Sequence, residues 1–228
     1  MKKFFFFKFI LFSLLCSQKG FADYSGAVTA GTGGSGRAAV EASESPFLNP
    51  AALPYLTGYY FTSGVGSSSK EGVAGKDFSL SLTDNLKDTI IPTSFAYGQS
   101  NYQQSSGESF SKRQARLSFG GFWNRTITSG LGFVYEDDRL PSTKYSQTNM
   151  VLGVQWVPTR DIGFAAVLDN LLPVSDSVPD SYRLKKTTAL GFVVNYLKFM
   201  RVKADLISAQ NNDFAYPTLA VGVENYLN

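Results

Sequence analysis

Six charged side chains are the residues of this sequence best placed to do chemistry together. Each occupies a polar position in a stretch where apolar and polar residues alternate, so all six are predicted to lie on one face of their strands. They are Arg116, Glu136, Arg201, Lys203, Asp205 and Glu224. Two interpretations stand open: a salt-bridged network that fills an enclosed interior, where isolated charges would be costly, or a polar channel or ligand path.

The histidine and cysteine content limits the chemistry further. The 228 residues include no histidine and a single cysteine, Cys16. Without an imidazole the chain cannot build a Ser-His-Asp or Cys-His catalytic group, and a lone thiol cannot form a cysteine-cluster zinc site. We therefore expect no enzymatic activity, no metal site and no bound cofactor.

The elements that position the six charges are predicted to be β-strands. From about residue 56 onwards apolar and polar residues alternate with a period of two, as Met150, Leu152, Val154 and Trp156 illustrate. Ten such segments follow one another, and no long stretch after residue 22 has the 3.6-residue period of a helix. The fold class is therefore predicted to be all-β and antiparallel.

Two architectures produce this alternation. A soluble sandwich buries one face of every strand, whereas a transmembrane barrel turns its apolar face to lipid and its polar face to the lumen. Barrels of outer membranes alternate short periplasmic turns with long external loops. The sequence predicts long connections at 66–75, 100–113, 137–146, 170–184 and 208–217, and short ones at 84–89, 124–128, 158–161 and 197–199. We therefore predict a transmembrane β-barrel of about ten strands.

Aromatic residues near the ends of the predicted strands agree with a membrane location, since such residues form girdles at the two lipid headgroup regions. They are Tyr59, Tyr97, Trp123, Tyr135, Trp156, Tyr196 and Tyr226. The polar face is rich in glycine and serine, as the interior of a narrow barrel requires. Each strand is expected to have roughly 9–11 residues, the length that crosses a bilayer when tilted.

Residues 1–22 have the composition of a cleaved signal peptide. Lys2 and Lys3 precede an apolar run at residues 9–16, and Gly20-Phe21-Ala22 gives a small-residue cleavage pattern. The formal net charge of +3 arises from this segment, because it holds four lysines and no acid. The remainder has no basic surplus, so we expect no nucleic-acid partner. The predicted location is the outer membrane of a Gram-negative-type bacterium.

The segment that follows carries a recognisable pattern: a Gly-rich stretch, an Ala-rich stretch with two acids, and then Asn49-Pro50-Ala51. This pattern resembles the N-terminal signature of the long-chain fatty acid transporter (FadL) superfamily, including its PorV-like members. The resemblance implies that residues 23–54 fold into the barrel as a hatch and that residues 55–228 form the barrel itself. It is strongest over residues 31–53.

Residues 31–36 also match the G-x-G-x-x-G pattern of dinucleotide-binding loops. Such a loop needs a strand before it and a helix after it within a βαβ unit, and the surrounding sequence predicts neither. A flexible glycine-rich segment, or backbone packed closely inside a barrel, accounts for these glycines instead.

Two functions fit these expectations. The first is permeation or transport of small or hydrophobic compounds across the outer membrane. The second is a non-transporting barrel that acts as a scaffold, shuttle or adhesion protein and binds a surface partner through its long loops. Outer-membrane lipid surrounds the protein in both cases, and a small hydrophobic ligand is expected in the first.

Overall fold

The computed structural model describes residues 29, 32, 34–70, 73–104, 107–196, 199–209 and 217–226. The predicted signal peptide, residues 1–22, lies outside the described residues, and so does part of the glycine-rich motif. None of the helices in the described part is long and apolar enough to cross a membrane.

One antiparallel sheet of ten strands forms the fold, and each strand pairs with its neighbours in the chain. The all-β prediction with ten antiparallel strands is therefore confirmed. Before the first strand come a short helix, α1 (Ser45–Leu48), and a 3-10 helix (Pro50–Tyr55). The strands are β1 (Gly58–Lys70), β2 (Val73–Asn85), β3 (Thr93–Gln104), β4 (Ser109–Phe122), β5 (Ile127–Arg139), β6 (Lys144–Thr159), β7 (Ile162–Asp169), β8 (Thr187–Tyr196), β9 (Met200–Ala209) and β10 (Thr218–Asn225).

The sheet has two chemically different faces. The inner face, defined as the one that contacts residues 34–55, is buried and carries small, polar and charged side chains. The outer face, its opposite, carries large apolar side chains that remain exposed: Phe61 is 64% exposed, Leu219 61% and Val221 50%. Strand β5 alternates accordingly, with Phe133 and Tyr135 exposed on either side of the buried Val134.

The sheet curves around residues 34–55, which we call the N-terminal segment. Near one end of the strand order, Ser81 of β2 donates a hydrogen bond to the carbonyl of Ser43 at 3.2 Å. At the other end, Gly222 of β10 lies against Thr32, just before the segment. Strands far apart in the order also meet, since Arg116 of β4 lies 4.0 Å from Asp169 of β7. Adjacent strands are only about 4.8 Å apart, so a flat sheet would keep these two side chains roughly 14 Å apart.

The two end strands leave the sheet open. Among the described residues β1 pairs only with β2, and β10 pairs only with β9. Strand β1 is also exposed on most of both faces, whereas the inner face of β10 is covered at Ala220 and Gly222.

The connections differ from the predicted alternation of long and short. Of the five connections predicted to be long, three join strands that lie two to four residues apart in the chain, namely β1–β2, β3–β4 and β5–β6, whereas β7–β8 and β9–β10 lie 17 and eight residues apart. The prediction is therefore wrong for these three connections. Polar residues continue to pair across the hairpins beyond the apolar stretches, so strands reach 16 residues in β6 instead of the expected 9–11.

Candidate functional site on the inner face

A row of three glycines on the inner face receives the backbone of the N-terminal segment. Gly120, Gly130 and Gly153 lie side by side on β4, β5 and β6. A Cβ atom at Gly120 would lie 2.8 Å from the Pro54 side chain, and one at Gly130 would collide with the backbone of Pro50. Only the absence of a side chain allows this approach. The segment is thus docked here by shape, backbone against backbone.

Asn49 fixes the fold of the segment at this point. Its side chain is completely buried, donates from Nδ2 to the carbonyl of Arg37 at 2.9 Å, and accepts from the Ala51 amide at 3.0 Å. The second bond caps the 3-10 helix that begins at Pro50. The Ala51 carbonyl in turn accepts from the hydroxyl of Thr128 on β5 at 2.6 Å. Asn49, Pro50 and Ala51 therefore join the two halves of the segment and attach them to the sheet.

Asp205 on β9 holds the first half of the segment. Its Oδ2 accepts from the amides of Gly36 at 2.9 Å and Arg37 at 3.1 Å, and pairs with the Arg37 guanidinium at 3.1 Å. Both side chains are buried, at 0% exposure for Asp205 and 8% for Arg37. Charge-assisted hydrogen bonds of this kind are among the stronger contacts in proteins.

A second group of charges lies beside it on β9 and β10. Lys203, 1% exposed, pairs with Glu224, and Arg201 reaches Glu224 at 3.4 Å. Arg201 also pairs with Glu41 of the segment at 3.1 Å. We call Arg37, Glu41, Arg201, Lys203, Asp205 and Glu224 the charged cluster.

Tyr226 follows the last strand and donates its hydroxyl to Glu224 at 2.8 Å. Burial, together with this hydrogen bond to a carboxylate, raises the pKa of the Tyr226 phenol to about 12. The phenol therefore keeps its proton at a pH where an ordinary tyrosine would lose it.

The other two predicted residues, Arg116 and Glu136, lie apart from the charged cluster, on β4 and β5. Arg116 donates to the carbonyl of Phe47 in the segment at 2.8 Å and to Gln114 at 3.0 Å. Glu136 is 1% exposed and accepts from Gln114 at 3.1 Å, while Lys112 pairs with it at 3.1 Å. These side chains form a continuous polar row from the loop end of β4 down to the segment.

The structure thus places all six predicted charges on the inner face, in two separate groups. Sequence reasoning missed their partners Arg37, Glu41, Lys112 and Gln114. The same two-residue period would have found Gln114, since it lies two positions from Arg116 and shares its face. Nothing in the sequence indicated that Arg37 and Asp205 meet.

Beyond the segment the inner face also holds an apolar cluster beside this polar row. Val134, Val151, Val167 and Ala189 form a buried cluster against which Ile207 packs. The connection 170–186 closes over this end, where Gln147 donates to the carbonyl of Tyr182 at 2.7 Å and accepts from the Leu184 amide at 3.0 Å.

A cavity of about 180 Å³ remains between that connection and the ends of β3, β4 and β5. Its lining combines aromatic rings with charges of both signs, including Tyr102, Lys112, Glu136, Arg139 and Tyr182. Cavities that hold drug-sized ligands usually measure about 300–1,000 Å³, so this one suits only a small group.

The arrangement holds the N-terminal segment against the sheet by close packing on one side and by paired charges on the other. Among the described residues, no group of three or more histidine, cysteine, aspartate or glutamate side chains could hold a metal ion. No family model, no curated protein and no solved structure matches this chain.

Proposed function

We propose that this protein is an outer-membrane β-barrel whose inner face surrounds the N-terminal segment and whose outer face meets lipid. The distribution of side chains supports this, because large apolar residues are exposed on the outer face while charged residues are buried on the inner one. A soluble sandwich has the reverse arrangement, with apolar faces packed against each other. An exposed apolar surface of this extent fits contact with lipid.

The main support for the functional proposal is that the N-terminal segment fills the space along the inner face. The segment lies against β2 and, through the glycine row and the charged cluster, against β4–β6 and β9, and it occupies the space that an aqueous pore would need. In its described state the protein therefore acts as a sealed barrel that binds a surface partner or small ligand at its loop end. The cavity beneath residues 170–186 is the place where that end is open to such a contact.

Permeation of small or hydrophobic compounds is the second candidate. It requires the segment to move, and the observation that favours it is the polar character of the contacts between the segment and β9. Polar contacts can be replaced by water, whereas an apolar contact cannot. The resemblance of residues 31–53 to the FadL superfamily also supports this candidate.

Membrane location is tested by fractionation and electrophoresis. The full chain should appear in the outer-membrane fraction and should migrate differently on SDS gels before and after boiling, because closed barrels resist SDS. Recovery as a soluble periplasmic monomer would refute the barrel.

The two candidate functions are separated by planar-bilayer recording of the purified protein. A sealed barrel gives no conductance steps with the wild-type chain. The variant Asp205→Asn, which removes the charge that pairs with Arg37, should give intermittent steps if the segment can leave. Asp176→Asn, at an exposed carboxylate outside the inner face, is the matched control. Steady conductance by the wild type would favour permeation instead.

A further inference from the structure

The two unpaired end strands, β1 and β10, carry one further inference. Their outward edges present rows of backbone N–H and C=O groups with no partner strand among the described residues. If the chain lies in a membrane as proposed, these groups must be paired, because open sheet edges do not occur in the hydrocarbon layer. The occupant of each edge is either the other end of the same sheet or a second copy of the chain.

The N-terminal segment favours the same chain. Its Leu53 carbonyl accepts from Asn85 on β2 at 3.1 Å, while Thr32, just before the segment, lies against Gly222 on β10. Both ends of the sheet thus reach the same short stretch of chain. If a second copy paired with each edge instead, the sheet of one chain would stay open. One of these inner-face contacts would then lie on an exposed surface.

The strand register limits how the edges can meet. The pairings can be followed straight across the sheet from Thr218 through Ile207, Ala189, Val167, Gly153, Gly130 and Gly120. Gly120 bonds to the carbonyl of Pro92, and the same register continues to Asn85 and to Gly58 at the start of β1. A barrel closes with an offset along the strand, so Thr218 meets a residue well beyond Gly58.

Two constraints limit that offset to a few even values. Thr62 on β1 and Gly222 on β10 both lie on the inner face, so paired residues must have the same parity. Strands in barrels tilt by about 35–45°, and with ten strands about 4.8 Å apart and rising about 3.3 Å per residue, an offset of about 12 residues gives roughly 40°. An offset of about 10 gives roughly 35° and would leave the last two residues of β1 without a partner, whereas an offset of about 14 would carry Thr218 past the end of β1.

We infer that β10 pairs with β1 of the same chain in the register that sets Thr218 opposite Lys70. The first residue of β10 then meets the last residue of β1, so the two strands end together. In this register Glu224 lies opposite Gly64 and Gly222 opposite Gly66. Glycine on β1 leaves room for the Glu224 side chain and its pairs with Lys203 and Arg201.

Disulfide cross-linking in the membrane-inserted full chain tests the register. In a Cys16→Ser background the pair Val65→Cys and Val223→Cys is in register on the outer face, where both native side chains are exposed. Two control pairs on the same face are displaced from this register by two residues. They are Val65→Cys with Val221→Cys, and Ser67→Cys with Val223→Cys. Directly opposed Cβ atoms lie about 4.5–5.5 Å apart, whereas diagonal ones are too distant to bridge without movement.

The in-register pair should cross-link at least tenfold faster than either offset pair, and the product should be a monomer that migrates faster than its reduced form after boiling. Preferential cross-linking of an offset pair would overturn this register while leaving the barrel intact. Cross-linked dimers, or no cross-link in any pair, would overturn closure within one chain. This inference rests on the proposed membrane location only for the need to pair the edges, and fractionation tests that location separately.

Discussion

The glycine row and the charged cluster hold the same segment by opposite means. At Gly120, Gly130 and Gly153 the segment is held by shape, since its backbone fills the space that side chains would take. At Asp205 it is held by charge, through three donors that converge on one carboxylate oxygen. The first contact involves no charge that must leave water, whereas the second buries ions that are costly unless matched.

The difference explains why the cluster is so closely paired. Arg37 is matched by Asp205 and Lys203 by Glu224, so removing either carboxylate leaves a buried cation without that counter-charge. The glycine row has no such dependence, and its tolerance is set by volume. The following variants separate the two mechanisms.

Asp205→Asn should have the largest effect. It leaves the Arg37 guanidinium buried without its counter-charge, and the free energy of unfolding should fall by about 3 kcal/mol. Urea titration in detergent micelles measures this change. Asp176→Asn, at a fully exposed carboxylate paired with Arg183, should leave the free energy of unfolding close to that of the wild type. Equal losses in the two variants would contradict the assignment of Asp205 as an anchor.

Gly130→Ala should have the next largest effect. The added Cβ overlaps the backbone of Pro50, and overpacking of this kind costs about 2 kcal/mol. The same titration should show no comparable loss for Gly121→Ala, because a Cβ there meets nothing within 4 Å. If both glycines tolerate alanine, close packing does not hold the segment.

Glu41→Gln should have a small, salt-dependent effect. Its carboxylate is 44% exposed and meets Arg201 at 3.1 Å, so the pair should contribute about 0.5 kcal/mol at low ionic strength. The difference from wild type should disappear at about 1 M salt, where screening is strong. The loss in Asp205→Asn should persist, because that pair is buried. A salt-independent effect at Glu41 would show that this edge of the cluster is also shielded.

The effect at Tyr226 is a pH dependence rather than the loss of a contact. Its pKa of about 12 exceeds the ordinary value of 10.0, so the folded protein holds the proton more tightly than the unfolded chain. The associated stability is complete below pH 10 and is lost as the pH rises towards 12. The pKa is measured by following tyrosinate absorbance in an ultraviolet pH titration of the wild type and subtracting the same titration of Tyr226→Phe. A value near 10 would mean that the contact with Glu224 is absent in solution.

The alternation of residue types predicted the ten strands and the face of each charged residue, because the direction of a side chain in a strand depends only on parity. It did not predict strand lengths, since polar residues past the apolar stretches continue to pair, as Gln103 of β3 does with Ser109 of β4. Nor did it predict which part of the segment meets which strand. The contact of Arg37 with Asp205 depends on how the sheet curves, and no local pattern encodes that.

The Arg37–Asp205 pair also has a consequence for the order of folding. The two residues are separated by 168 positions, so their contact cannot form until nearly the whole chain is available. Contacts of such long range make folding slow, because the entropy of closing the loop must be lost before the contact contributes. Hairpins can assemble early from neighbouring strands, but the segment is secured to β9 only at the end. We therefore expect the contact between Arg37 and Asp205 to form late in folding, after the hairpins of the surrounding sheet.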